Sequence, residues 1–262
     1  MKSHLIYYTA NIADDRLRVD DGDARTALAS VGRYPAEMRS IDISVYGSYT
    51  EDRDESYYLE NIKNIDKAVK NQITDIIEQG ESVAIFAIAP QPLLIYLGHQ
   101  LNDKYNVSVF QCHRRENDKW SWKDEYISVK FQAIFPNEVV DEGEVALILA
   151  LSSSVPTERI TSVIGCNANI YITTLDSPSR IFVTHPSIMD AFIEKSREVM
   201  ERIKQTHGNK KVVHVFPVMP VSLAVRFGMD YMSKTDNPLL IYDEIAGKGF
   251  IPAIGIGDIH DE

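Results

Sequence analysis

The chain has 262 residues, 44% of them hydrophobic, and a formal net charge of −11, enough for one large domain or two fused small ones with a sizeable core. The charge speaks against partners bound along a DNA or RNA backbone, which needs clustered lysine and arginine, but not against a small anion held by helix N-termini. No apolar run approaches the roughly 18 residues of a membrane span, and MKSHLIYYTANIADD has too short an apolar part and no small-residue cleavage site, so a cytoplasmic location is expected.

The first strand is predicted at His4 to Thr9, followed by a polar loop, Asn11 to Asp23, with five aspartates. A short helix is expected over Asp23 to Val31 and a strand over Ile41 to Tyr46, where apolar and polar residues alternate. From Ser56 to Gln79, Tyr58, Ile62, Ile65, Val69, Ile73, Ile76 and Ile77 recur at three- and four-residue steps, predicting one long helix that Gly80 closes. A strand at Val83 to Ile88, a helix over 91 to 102 and a strand at Val107 to Cys112 complete this half.

Residues 114–143 match neither half and read as an insertion or linker, with Trp120 and Trp122 and a hairpin strand at Ile127 to Phe135. The second half repeats the order of the first. It has a strand at Val145 to Leu151, a turn at Ser152 to Ser154, a short helix at Thr157 to Ile164 and a strand at Asn169 to Thr174. A long helix at Ile188 to Thr206, a strand over 212 to 218, a helix over 220 to 231 and a strand at Leu239 to Tyr242 follow. The glycine-rich end reads as a short strand with a flexible tail. Strands alternating with helices imply right-handed crossovers, so the expected fold is α/β, with halves at 1–113 and 144–262, each a mostly parallel sheet flanked by helices.

A duplicated frame supports this division. VHVFPVMPVSLAVRFG, Val213 to Gly228, and VAIFAIAPQPLLIYLG, Val83 to Gly98, share Phe, Pro, Leu and Gly with gaps of four, three and five residues. Each copy reads as a buried strand, a sharp turn and a helix opened by proline.

Catalytic signatures are missing. There is no GxSxG, HExxH or GxxxxGK[ST], and Gly255-Ile256-Gly257 lacks a third glycine and reads as a turn. The seven histidines include no i, i+4 pair, and the acid pairs lie in polar loops, so neither a catalytic residue nor a metal or cofactor is expected. Cys112 and Cys166, far apart and without a CxxC partner, read as reduced small hydrophobes.

Binding residues are sought just after strands, because ligands of open α/β sheets sit at the carboxyl ends of the strands. That rule selects Thr9, Asn11 and Ser152, Ser153, Ser154 after the first strands, and Gln91 and Met219, Pro220, Ser222 after the third. Hydroxyls and amides there suit phosphate and ribose oxygens, although helix capping alone would account for any one of them. Trp120 and Trp122, beside Arg114, Arg115 and Lys119, either stack bases or plug the junction between the halves.

HVFPVMPVSLAVRFGMDYMSKTDNPLLIYDE, His214 to Glu244, resembles the C-terminal signature of SAVED domains, in which a strand leads through proline to an SLAV…G helix and a strand closing on Tyr-Asp. FAIAPQPLLIYLGHQL followed by VSVFQCHRRENDKWSW is similar to the SAVED strand, proline-led helix and W-x-W turn, so the resemblance covers nearly the whole chain. It implies two fused CARF-like, Rossmann-like halves and a sensor of cyclic di-, tri- or tetranucleotides in bacterial anti-phage defence, of the CBASS or type III CRISPR kind. It further implies a ligand lying across the halves, self-association on binding, and a fused or separate nuclease, TIR, protease or membrane effector. All residues are used by the two halves, so no effector is expected within them. Arg114, Trp122, the Ser152 to Ser154 turn and the Pro220 to Ser222 helix start match motif positions and are implied ligand contacts. Thr9, Asn11 and Gln91 rest on symmetry and strand-end position alone. Two other classes stay open: a metal-free ring nuclease in which His113 or His185 helps a ribose 2′-OH attack its phosphate, and a scaffold that needs no ligand.

Overall fold

The computed structural model describes residues 1–11, 18–45, 53–102, 106–113, 119–123 and 127–259. Arg114, Arg115, Tyr46 and His260 fall outside them. Among the described residues the first half contains β1 (Lys2–Thr9), α1 (Asp21–Ser30), β2 (Tyr34–Pro35), β3 (Ile41–Asp42), α2 (Glu55–Ala68), a π turn (Val69–Ile73), α3 (Thr74–Glu78), β4 (Ser82–Ile88), α4 (Gln91–Leu101) and β5 (Val107–Val109). Then come β6 (Phe131–Ile134), β7 (Val145–Ala150), α5 (Glu158–Ile164), β8 (Asn169–Leu175), α6 (Pro186–His207), β9 (Val213–Val218), α7 (Val221–Asp230), β10 (Leu239–Ile245) and β11 (Gly249–Ile256).

The strands build two sheets. In the first, β2-β1-β4-β5 lie side by side with β3 also on β1, and every pairing is parallel. The second runs β11-β10-β9-β7-β8-β6, parallel at its centre and antiparallel at both edges. The run β1-β4-β5 of one sheet recurs as β7-β9-β10 in the other, the arrangement expected of two Rossmann-like halves. All seven residues of β4 and all six of β7 are buried, as central parallel strands covered on both faces must be.

Several expected elements differ: the strand expected at Ile41 to Tyr46 is β3 alone among the described residues, and that expected at Val107 to Cys112 ends at Val109. The long helix is broken by the π turn, where the Thr74 hydroxyl donates to the Val69 carbonyl at 2.9 Å. The strand expected over Ile127 to Phe135 shortens to β6 and pairs with β8, not with a neighbour in a Trp120–Trp122 hairpin, and residues 119–123 carry no strand. The C-terminal glycine-rich stretch is a full edge strand on β10, with Gly255 inside it and Gly257 turning the chain just beyond at φ 89°.

The halves are joined through their duplicated helices. Gly228 lies 130 residues after Gly98, and the two meet at one crossing. A Cβ on Gly98 would lie 2.0 Å from the Val225 carbonyl oxygen, and one on Gly228 would lie 1.9 Å from that of Ile95. Since Ile95 and Val225 are also equivalent in the repeat, the contact is reciprocal, as a pseudo-two-fold axis requires. One apolar core therefore runs through α4 and α7 from sheet to sheet, while separate clusters cover the outer faces under α1 and α5.

Burial pushes the pKa of His99, His207 and His214 below the usual 6.5, against the pull of Glu144 on His214. Such groups bind fewer protons folded than unfolded, so their contribution is present above pH 6.5 and is lost as pH falls through their lowered values. The urea midpoint is expected to drop between pH 7.5 and 5.5, and His99→Gln, at the α4–α7 contact beside Tyr231, should flatten that drop. Equal slopes in the two proteins would show that His99 does not titrate as its burial requires.

Candidate functional site

Where the carboxyl ends of both sheets approach each other, a cleft of about 620 Å³ opens, within the ordinary range for small-molecule sites. Its wall takes residues from the ends of six strands. Ala89 to Gln91 follow β4, Gln111 to His113 follow β5, Ser152 follows β7, Ser179 to Ile181 follow β8, Pro217 to Val221 span the end of β9, and Asp243 and Glu244 lie on β10.

Two proline-led helix starts reach this wall. Pro90 and Pro220 hold the chain extended (ψ 141° and 147°) and then accept the first helical bonds, from Leu93 and Leu94 and from Leu223 and Ala224. Pro92 has no N–H, and the Ser222 N–H and hydroxyl both donate to Gln111 Oε1, at 3.2 and 2.7 Å. Each helix is thus left with one first-turn donor at the wall, the N–H of Gln91 and of Val221. The Gln91 side chain crosses between halves to donate to the Met219 carbonyl at 2.6 Å.

The acids in the wall are compensated. Asp243 carries Arg53 at 2.6 Å and the Tyr58 hydroxyl, and Glu244 carries Arg159 at 2.7 Å. Burial raises the Asp243 pKa, and Arg53 and Tyr58 only partly offset it.

Residues 65–256 match the sequence profile of SAVED, the "SMODS-associated and fused to various effectors sensor domain". The chain belongs to the SAVED family. Solved SAVED structures have the same fold. The Acinetobacter baumannii Cap4 SAVED/CARF-domain containing receptor with the cyclic trinucleotide 2′3′3′-cAAA superposes with a TM-score of 0.63 at 12% identity, over 97% of this chain and 51% of its own. With 3′3′3′-cAAA the same receptor gives 0.61 at 12% identity, over 97% and 51%. The Moraxella osloensis Cap4 receptor gives 0.55 at 12%, over 85% and 48%. This SAVED chain therefore spans about half the length of those receptors. Among curated protein sequences none matches it.

Of the residues predicted for the SAVED site, Gln91, Ser152, Met219 and Pro220 line the cleft. Ser222 stands just behind them, 1% exposed and bound to Gln111. Ser153 and Ser154 are exposed and outside the lining. Thr9 is buried at the end of β1, its N–H on Ser44 Oγ at 2.9 Å, and Asn11 takes a left-handed turn (φ 52°) beyond it. Arg114 lies outside the described residues.

The tryptophans separate. Trp120 is 1% exposed and packs edge-on to Phe86 at 5.2 Å, in the core between the outer face of the first sheet and α1. Trp122 is half-buried and stacks on Phe110 at 6.0 Å. His113 lines the cleft, whereas His185 caps α6, its Nδ1 accepting from the Ser187 N–H at 3.2 Å. Sequence reasoning missed Gln111, Ser179, Arg180, Ile181, Asp243 and Glu244. The strand-end rule applied to every strand would have reached most of them.

No helix among the described residues is long and apolar enough to cross a membrane, and no group of three or more His, Cys, Asp or Glu among them could hold a metal ion.

Proposed function

We propose that the chain binds a cyclic oligonucleotide second messenger in this cleft and acts as a cytoplasmic sensor in anti-phage defence, ligand binding promoting self-association or activating an effector. The observation that carries the reading is that one cleft of nucleotide size gathers the strand ends of both sheets. Membership in a family described as a sensor domain, and one similar receptor described with two cyclic trinucleotides, support it. In this reading residues 1–113 and 144–262 are the two CARF-like halves, and 114–143 connect them and lend β6 to the second sheet.

The chemistry is binding. Gln91 and Val221 N–H groups and the Ser152 hydroxyl donate to phosphate and ribose oxygens. Thr9, Asn11, Trp122, Ser153 and Ser154 stand outside the lining and would join only if ligand draws them inward. A ring that bridges the halves favours one mutual arrangement, by no more than its difference in affinity for the two.

Thermal shift against cyclic di-, tri- and tetranucleotides tests this. Ligand at a hundred times Kd stabilises the native state by about 2.7 kcal/mol, a rise of roughly 5 to 10 °C for a chain of this size. Light scattering on the hit then reads assembly. No shift with any member of the panel would overturn the sensor reading.

His113 in the wall favours one second reading, metal-free cleavage of the bound ring by a ribose 2′-OH. Chromatography after long incubation separates the two: a sensor returns the ring intact.

A further inference from the structure

We propose that Arg180 and Ile181 form the nucleotide-gripping apex of the cleft, the guanidinium pairing with a phosphate and the isoleucine packing on a base or ribose face. The inference rests on the sensor reading and adds the residues that read charge and apolar surface.

Three observations carry it. Four other arginines are held: Arg53 by Asp243, Arg159 by Glu244, Arg197 by Asp230 and Asp236, and Arg226 by Asp190. Arg180 is exposed, lines the cleft, and has no hydrogen bond or ion pair among the described residues. With the wall's two acids compensated, it is the one arginine or lysine among the described lining residues, placed to draw an anion into a chain of net charge −11.

Beside it, Ile181 stands 63% exposed on the same wall, where an uncovered large apolar side chain has no packing role.

The apex is also rigidly placed. The Ser179 N–H donates to the Leu151 carbonyl at 2.9 Å, tying the loop to the end of β7, and Val183 on the other side is 1% exposed in the core. A guanidinium held at its base but free at its tip is preorganised for bidentate contact with a phosphate.

The test is the affinity of Arg180→Ala, Arg180→Lys and Ile181→Ser for whichever cyclic di-, tri- or tetranucleotide the unaltered chain binds most tightly, measured across a salt series. Arg180→Ala should weaken binding about 10- to 100-fold and lower the slope of log Kd against log salt by about 1. Arg180→Lys should keep the slope and recover part of the affinity. Ile181→Ser should weaken binding several-fold with the slope unchanged. Neither position makes contacts that hold the fold, so the melting temperatures without ligand should match the parent's. Parental affinity and slope in Arg180→Ala would overturn the assignment while leaving the sensor reading intact. Absence of binding by the unaltered chain would overturn both.

Discussion

Gly98→Ala is expected to cost about 4 kcal/mol or more, a large part of the 5 to 15 kcal/mol of a typical domain. The new methyl would lie 2.0 Å from the Val225 carbonyl oxygen and 2.9 Å from the Met229 nitrogen. Both are backbone atoms of a helix buried in the shared core, so no side chain can turn aside. α4 and α7 must separate instead, opening contacts among Leu93, Leu94, Leu97, Leu223 and Ala224, all fully buried. Ordinary overpacking costs about 1 to 3 kcal/mol, and the displacement of two helices exceeds it.

Gly228→Ala, meeting the Ile95 carbonyl at 1.9 Å, should do equal damage. The double substitution should cost less than the sum, because one separation makes room for both methyls. Gly80→Ala is the control: nothing lies within 4 Å of its Cβ, and only its φ of 76° resists, worth about 1 to 2 kcal/mol. Urea denaturation reads all four. A midpoint for Gly98→Ala no lower than that of Gly80→Ala would contradict the crossing.

That crossing marks how far the sequence was legible. Periodicity and proline placement locate nearly every element, because buried parallel strands and amphipathic helices each leave a local pattern. The repeat even pairs Gly98 with Gly228. What no local pattern carries is that the two glycines touch each other, since close backbone approach depends on how the halves dock. β6 is another case: its partner β8 is some forty residues away, and a short apolar run cannot say which strand it joins. Trp120 and Trp122, two positions apart, read alike, yet Phe86 takes one ring and Phe110 the other. In the site, strand-end reasoning reached Gln91, Ser152, Met219 and Pro220. It stopped short of Arg180, five residues past β8 in a loop without periodicity, and of Arg53 and Asp243, 190 residues apart.

Arg53→Met is expected to cost about 3 to 5 kcal/mol at neutral pH, because it leaves the Asp243 carboxylate buried without its cation. The partners are 18% and 6% exposed, and the pair joins the first half to β10 of the second at the cleft wall. Asp243→Asn alone should cost less than Arg53→Met, because Arg53, the more exposed partner, keeps its bond to the Glu244 carbonyl. Burial already holds the Asp243 pKa above 3.8 in spite of Arg53 and Tyr58, so the ionised carboxylate is less favourable in the fold than a neutral group of the same shape. The pair is therefore a mutual obligation more than a source of stability, and Asp243→Asn should rescue Arg53→Met almost completely.

The pH dependence has a definite sign. A carboxyl whose folded pKa lies above its unfolded 3.8 contributes stability that is fully present below 3.8 and lost as pH rises through the folded value. Removing Arg53 raises that value further, so the penalty in Arg53→Met should shrink as pH is lowered from 7.5 toward 5, a proton taking over from the guanidinium. The unaltered chain, in which burial lowers the pKa of His99, His207 and His214, should weaken over the same interval. Denaturation midpoints converging on acidification are the expected result. A penalty constant with pH, or undiminished by Asp243→Asn, would mean that Arg53 acts through its Glu244 carbonyl bond at 3.1 Å and not through the carboxylate.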